Sequence, residues 1–200
     1  MGDLMDAVMN KTVRLTSAPD QSALARPTVR SLLSLGTGHL RVSLFEGVSV
    51  LIPMVYVQEV IALPAHRLSA LPNLPPPVLG LMNRRSQVLW LVDLAYLLGI
   101  GRLDLAPQTH HVVVLKVGKL TVAFAVTAIE GMIAVPPEAG IPVPSQVPPS
   151  ALPYLQMCAR LDILDGAQTG DLKPIAQTSE LLMVINPEAL FQSPVLQPIG

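Results

Sequence analysis

Apolar residues in this chain come in short, strand-length runs punctuated by glycine and proline. His39 to Phe45 and Val48 to Ile52 flank Glu46-Gly47. A two-residue turn with glycine second is a hairpin signal, because glycine takes the positive φ that such turns need. Val55 to Ile61 reads as a third strand, and a loop with Pro64, Pro72 and Pro75 to Pro77 follows. Val88 to Val92 is apolar at every position, as expected of a strand covered on both faces. Asp93, the run Leu94 to Leu98 and Gly99 then read as a cap, a short helix and its stop.

The second half replays this order. His110 to Lys116 and Leu120 to Val126 flank a turn at Gly118, a strand near Ile129 to Val135 follows, and a proline-rich loop runs from Pro136 to Pro153. A last strand, Leu181 to Ile185, meets Asn186, and Pro187 to Phe191 reads as a helix with asparagine at its cap and proline at its first position. The strand, cap and helix of Leu91 to Leu98 are thus repeated at Val184 to Phe191. Short strands of this kind remove their open edges by closing into small barrels. The expected fold is all-β: two tandem small barrels sharing an apolar seam, with short capping helices.

Composition supports a strand-and-loop protein. The 200 residues include 20 prolines, which exclude long helices. Half of the chain is hydrophobic and 14% is charged, with a net charge of −1. The longest charge-free stretches are broken by proline, so no regular membrane-spanning helix is expected. The acidic N-terminus lacks the basic region of a signal peptide, and Cys158 has no partner for an intrachain disulfide, so the cytoplasm is the expected compartment. Residues 1–38 read as a flexible arm, with a short amphipathic helix around Leu4 to Val13, and residues 193–200 as a tail. Between them, residues 39–192 form one domain. Its lobes are expected at about 39–106 and 107–192, an exchange of terminal strands between them being left open.

The stretch Val78-Leu79-Gly80-Leu81-Met82-Asn83-Arg84-Arg85-Ser86-Gln87, followed by Val88 to Leu94, resembles the CheW-like signature. That signature is a hydrophobic residue, Gly, two residues, Asn, one residue, Arg-Gly, and an apolar strand ending in Asp-Leu. Val57-Gln58-Glu59-Val60 is similar to the family's Val-x-Glu-Ile/Val strand, and Tyr154-Leu155 with Leu182 to Leu190 to its closing segment. The resemblance implies two five-stranded SH3-like barrels. It also implies a non-catalytic adaptor without cofactor, which binds the regulatory domain of a CheA-type histidine kinase and the cytoplasmic tip of a methyl-accepting receptor, with self- or ring assembly as a further contact. Recruitment to membrane receptor clusters follows from those partners. The partner-binding positions it implies are Val57, Glu59, Gly80, Asn83 and Arg85. Trp90, outside that set, reads as core or a lid on the seam, with a role as interface anchor as the alternative. Ser86 stands where the family has Gly, Trp90 where Pro is common and Thr127 where Asp is frequent, while residues 165–177 read as an inserted loop. The Asn-Arg-Arg-Ser run and the tryptophan are similar to CheW-like proteins of cyanobacterial phototaxis and pilus motility.

Structural readings stand beside these. Glu59 also fits the exposed position of an alternating strand, and Arg84-Arg85 a solvated turn whose neighbours point apart. His110-His111, with His39 and His66 isolated, lacks metal-site spacing, and Cys158 reads as a buried, inert thiol. No titratable cluster suggests an enzyme. The alternative within the same fold is a small-barrel ligand or nucleic-acid binder, but scattered cations and 4% aromatics give no stacking platform.

Overall fold

The structure is a computed structural model that describes residues 36–45, 47–145, 147–163 and 178–197. The expected helix at Leu4 to Val13 and the expected loop at 165–177 lie outside the described residues. Twelve strands and two short helices follow in order among the described residues: β1 (Thr37–Phe45), β2 (Val48–Pro53), β3 (Val57–Pro64), β4 (Leu68–Ser69), β5 (Val78–Arg84), β6 (Gln87–Asp93), α1 (Leu94–Leu97), β7 (Thr109–Val117), β8 (Leu120–Val126), β9 (Ala128–Val135), β10 (Gly140–Ile141), β11 (Leu155–Ile163), β12 (Thr178–Ile185) and α2 (Pro187–Phe191).

Two six-stranded sheets result, in the orders β3-β7-β8-β6-β5-β4 and β9-β1-β2-β12-β11-β10. The first, the central barrel, uses only residues 57–126. The second, the terminal barrel, joins both ends of the described chain. Each sheet has six strands where five were expected, the two-residue β4 and β10 completing the count.

The two orders are the same order read through the internal repeat. Each repeat supplies a hairpin and then a third strand, a two-residue strand, two long strands and a helix. Each barrel, however, takes its hairpin from the other repeat. β7 and β8 pair with β3 and β6, while β1 and β2 pair with β9 and β12. A sequential division at residues 106 and 107 therefore does not describe the pairing. The joints are the parallel pairs β6–β8 and β12–β2.

This exchange sets the packing. β1 alternates, with Leu40, Val42 and Leu44 facing a large core that also takes Val92, Val113, Leu115 and Phe124 from the central barrel. That core is the seam. Separate clusters fill each barrel: Leu63, Met82, Leu91 and Val114 in the central one, and Leu51, Val135, Ala159 and Leu182 in the terminal one. Strands from opposite ends of each sheet order meet in these clusters, so each sheet curls.

The expected caps are present. Asp93 Oδ1 accepts from Tyr96 N at 3.1 Å, and its Oδ2 accepts from Leu103 N at 2.8 Å. Asn186 Oδ1 accepts from Ala189 N at 3.1 Å. The third strand starts later than expected, because Met54–Tyr56 turns once as a 3₁₀ segment after Pro53. β5 and β11 went unread in the sequence. Gly80, Asn83 and Arg84 interrupt the apolar pattern of the first, and Gln156, Arg160 and Asp162 that of the second.

Candidate partner-binding surface

The motif-matched residues fall on β3, β5 and the hairpin joining β5 to β6. Arg84 pairs with Gln87, so Arg85 and Ser86 form a two-residue turn. Both have positive φ, 48° and 64°. A type I′ hairpin turn requires this of both central residues, and glycine, asparagine or aspartate normally supply it. Serine at the family's glycine position therefore holds a left-handed conformation at a steric cost.

Glu59 and Arg84 lie on the inner phase of the central barrel. Glu59 alternates with the exposed Gln58 and Val60 and shares its phase with Ile61 and Leu63, which pack into that barrel. It is thus not the exposed residue of its strand. Arg84 donates Nε to Glu59 Oε1 at 3.1 Å and Nη2 to Oε2 at 2.9 Å. Arg85 Nη2 reaches the same Oε2 at 3.2 Å. The adjacent arginines do not point apart, because the turn bends Arg85 back toward the carboxylate. Hydrogen bonding from Arg84 holds the Glu59 carboxyl below its usual range.

The ion cluster closes one mouth of the central barrel and carries an excess of positive charge, since two guanidinium groups share one carboxylate. Lys116 is exposed on β7 two positions beyond Val114, the partner of Glu59. At the corresponding mouth of the terminal barrel the charges are reversed. There Arg41 sits between two carboxylates, with Nε donating to Glu130 and Nη1 and Nη2 donating to Glu180 at 2.6 and 2.9 Å. Ser49 Oγ donates to Glu130 at 2.6 Å. One arginine between two glutamates leaves an excess of negative charge.

An apolar stripe leaves the seam beside the positive mouth. Leu91 lies next to Ala123 in the parallel β6–β8 pair, and Val88 and Leu120 stand three positions before them on the same two strands. Val88 and Trp90 continue the phase of Val92, and Leu120 that of Val122 and Phe124, so the stripe runs from the seam core into solvent. Val88 is 64% exposed and Leu120 54%. Val55, at the turn before β3, is 83% exposed. These three carry no sequence motif. Val88 and Leu120 each stand beside a hairpin turn, and Val55 in the turn between two sheets, where a pattern reading assigns an apolar residue to the core.

The remaining expected residues divide. Asn83 is exposed and pairs with Val88, at the edge of the stripe. Val57 and Trp90 are half-buried and pack against the seam core. Gly80 is buried, with φ at +146°, and a Cβ there would lie 2.4 Å from the Ser69 carbonyl oxygen. Its work is the close approach of β5 to β4, and it offers no surface. Cys158 is buried in the terminal barrel, where burial pushes its thiol pKa up. Among the described residues no group of three or more His, Cys, Asp or Glu side chains could hold a metal ion, and no helix is long and apolar enough to cross a membrane.

The profile of the CheW-like domain matches residues 40–195, most of the chain. The chain belongs to the CheW-like family. The fold agrees with the crystal structure of the scaffolding protein TtCheW from Thermoanaerobacter tengcongensis. That match has a TM-score of 0.60 at 18% identity, over 80% of this chain and 95% of that one. No curated protein matches the sequence. As a CheW-like domain, the chain has the two-barrel SH3-like fold, its hairpins exchanged between the barrels as described above.

Proposed function

We propose that this CheW-like chain is a non-catalytic adaptor that couples a methyl-accepting-type receptor to a CheA-type histidine kinase. The signalling it serves is chemotaxis, phototaxis or pilus-based motility, and it works in the cytoplasm at membrane receptor clusters. The observation that carries this reading is the juxtaposition of an exposed apolar stripe with a positive hairpin tip. Val88, Leu120 and Val55 supply area that a helical or barrel partner would cover. Arg85, whose side chain is 72% exposed, supplies a fork for a partner's carboxylate or carbonyl oxygens. Asn83 adds a polar edge, Val57 and Trp90 support the stripe from beneath, and Glu59 aims the arginines.

Self-assembly has its own support. The positive mouth of one copy complements the negative mouth of another, and such a contact is head-to-tail, able to close a ring.

The reading is tested by pull-down from extracts holding the receptor and the kinase encoded beside this chain. Tagged wild type should retain both, and Val88→Asp with Leu120→Asp should release at least one. Wild type that retains neither contradicts the adaptor reading.

A further inference from the structure

We propose that Ser86 is a phosphorylation site, and that a phosphate there switches off the partner-binding surface around Arg85. The switch rests on the proposed adaptor role. The site rests on the hairpin alone.

The turn between β5 and β6 is strained where glycine would relax it. Arg84 pairs with Gln87, so Arg85 and Ser86 are the two central residues. The β7–β8 hairpin also has a two-residue turn, Gly118-Lys119, and there glycine takes the positive φ. In the β5–β6 turn Arg85 and Ser86 both take it, and both carry a Cβ. Among the described residues no other two consecutive residues with side chains do so. Glycine at either position would relieve the clash. A strained residue that the local fold does not require points to a role for its side chain. In Ser86 that side chain is a hydroxyl, exposed at the tip of the hairpin.

The surroundings suit a phosphate. Arg84 and Arg85 directly precede the serine, and both reach the one Glu59 carboxylate. Arg84 is held there by two hydrogen bonds, whereas Arg85 touches it once, at 3.2 Å, with its side chain 72% exposed. Arg85 is thus a largely free fork one residue from the hydroxyl, and phosphate oxygens suit such a fork. Before transfer, the positive tip attracts the acidic substrate groove of an arginine-directed serine kinase.

Transfer takes ATP and a kinase of that class. Ser86 Oγ bonds to the γ-phosphorus, the bond from that phosphorus to the β,γ-bridging oxygen breaks, and ADP leaves. The hydroxyl proton passes to the kinase's catalytic base. The new group brings a charge of about −1.5 to −2. A tip with two guanidinium groups against one carboxylate thereby changes from an excess of positive charge to an excess of negative. Arg85 then turns to the phosphate, and acidic groups of a partner are repelled.

The test incubates the full chain with ATP and an extract of its own cells, and maps phosphate by mass spectrometry. Wild type should carry phosphate on Ser86. Arg85→Gln leaves the pair of Arg84 and Glu59 intact and should lower the yield at least three-fold. No phosphate on Ser86, or an equal yield in Arg85→Gln, overturns the site. In the phosphorylated chain, phosphorus NMR should place the second phosphate ionisation below its usual value of about 6, and Arg85→Ala should bring it back. A value of about 6 without that substitution overturns the pairing with Arg85. Retention of the receptor and the kinase encoded beside this chain should fall at least ten-fold on phosphorylation. Equal retention by both forms overturns the switch and leaves the adaptor role standing. Retention by neither form removes the adaptor role and the switch together, while the mapped site stands.

Discussion

Arg84 grips Glu59 with two hydrogen bonds from one guanidinium, while its neighbour Arg85 touches the same carboxylate only once. The doubled arginine divides the labour: Arg84 fixes the carboxylate, and Arg85 is left largely to solvent. Titration of the Glu59 carboxyl, followed by NMR, distinguishes the two. Its pKa is depressed mainly by the Arg84 hydrogen bond, so Arg84→Ala should move it up toward the ordinary carboxylate range. Arg85→Ala should move it much less. A group depressed in the folded state contributes stability above its unfolded pKa and loses it as pH falls through the folded pKa. Arg84→Ala should therefore flatten the acid-side loss of stability. The pair is partly exposed, so solvent screening should keep the effect at neutral pH small.

Ser86 pays for a conformation that glycine takes freely. A left-handed residue with a Cβ costs ~1–2 kcal/mol, against ~0.4–1 kcal/mol of extra chain entropy that glycine brings to the unfolded state. Ser86→Gly should raise stability by about 0.5–1 kcal/mol. The urea midpoint should rise with an unchanged m-value, and a midpoint that stays or falls contradicts the turn assignment.

His39 is buried in β1 on the phase that faces the terminal barrel, with Nδ1 hydrogen-bonded to the Thr37 carbonyl at 2.8 Å. Burial lowers its pKa, and the bond to Thr37 opposes this only in part. The folded state thus holds the ring neutral, while the unfolded chain takes up a proton near the ordinary pKa of 6.5. Stability should be full above that value and decline as pH falls below it, until the folded-state pKa is passed. Denaturation midpoints between pH 7.5 and pH 5 should show this slope in wild type, and His39→Gln should reduce it.

The barrels, their helices and their caps were legible in the sequence because each rests on a local signal. Asp93 and Asn186 announce helix starts, Gly47 and Gly118 announce turns, and the strand-cap-helix unit repeats. The hairpin exchange was not legible, since either hairpin satisfies either barrel by pattern and only packing at the seam decides. Gly80 stood in the expected binding set, but its motif position reflects contact between β5 and β4. Val88 and Leu120 were hidden for the opposite reason: their phase is that of core residues, and only the end of the seam makes them surface. Glu59 and Arg85 were found by motif, whereas Arg84, the closer partner, occupies the motif's variable position.

Calorimetry with the CheA-type kinase regulatory domain decides whether the Arg85 surface docks the kinase. Wild type should bind, Arg85→Glu should weaken binding at least ten-fold by setting a carboxylate where the partner's acceptors come, and Arg85→Lys should retain part of the affinity. Equal affinity for wild type and Arg85→Glu, with both proteins folded, would contradict it.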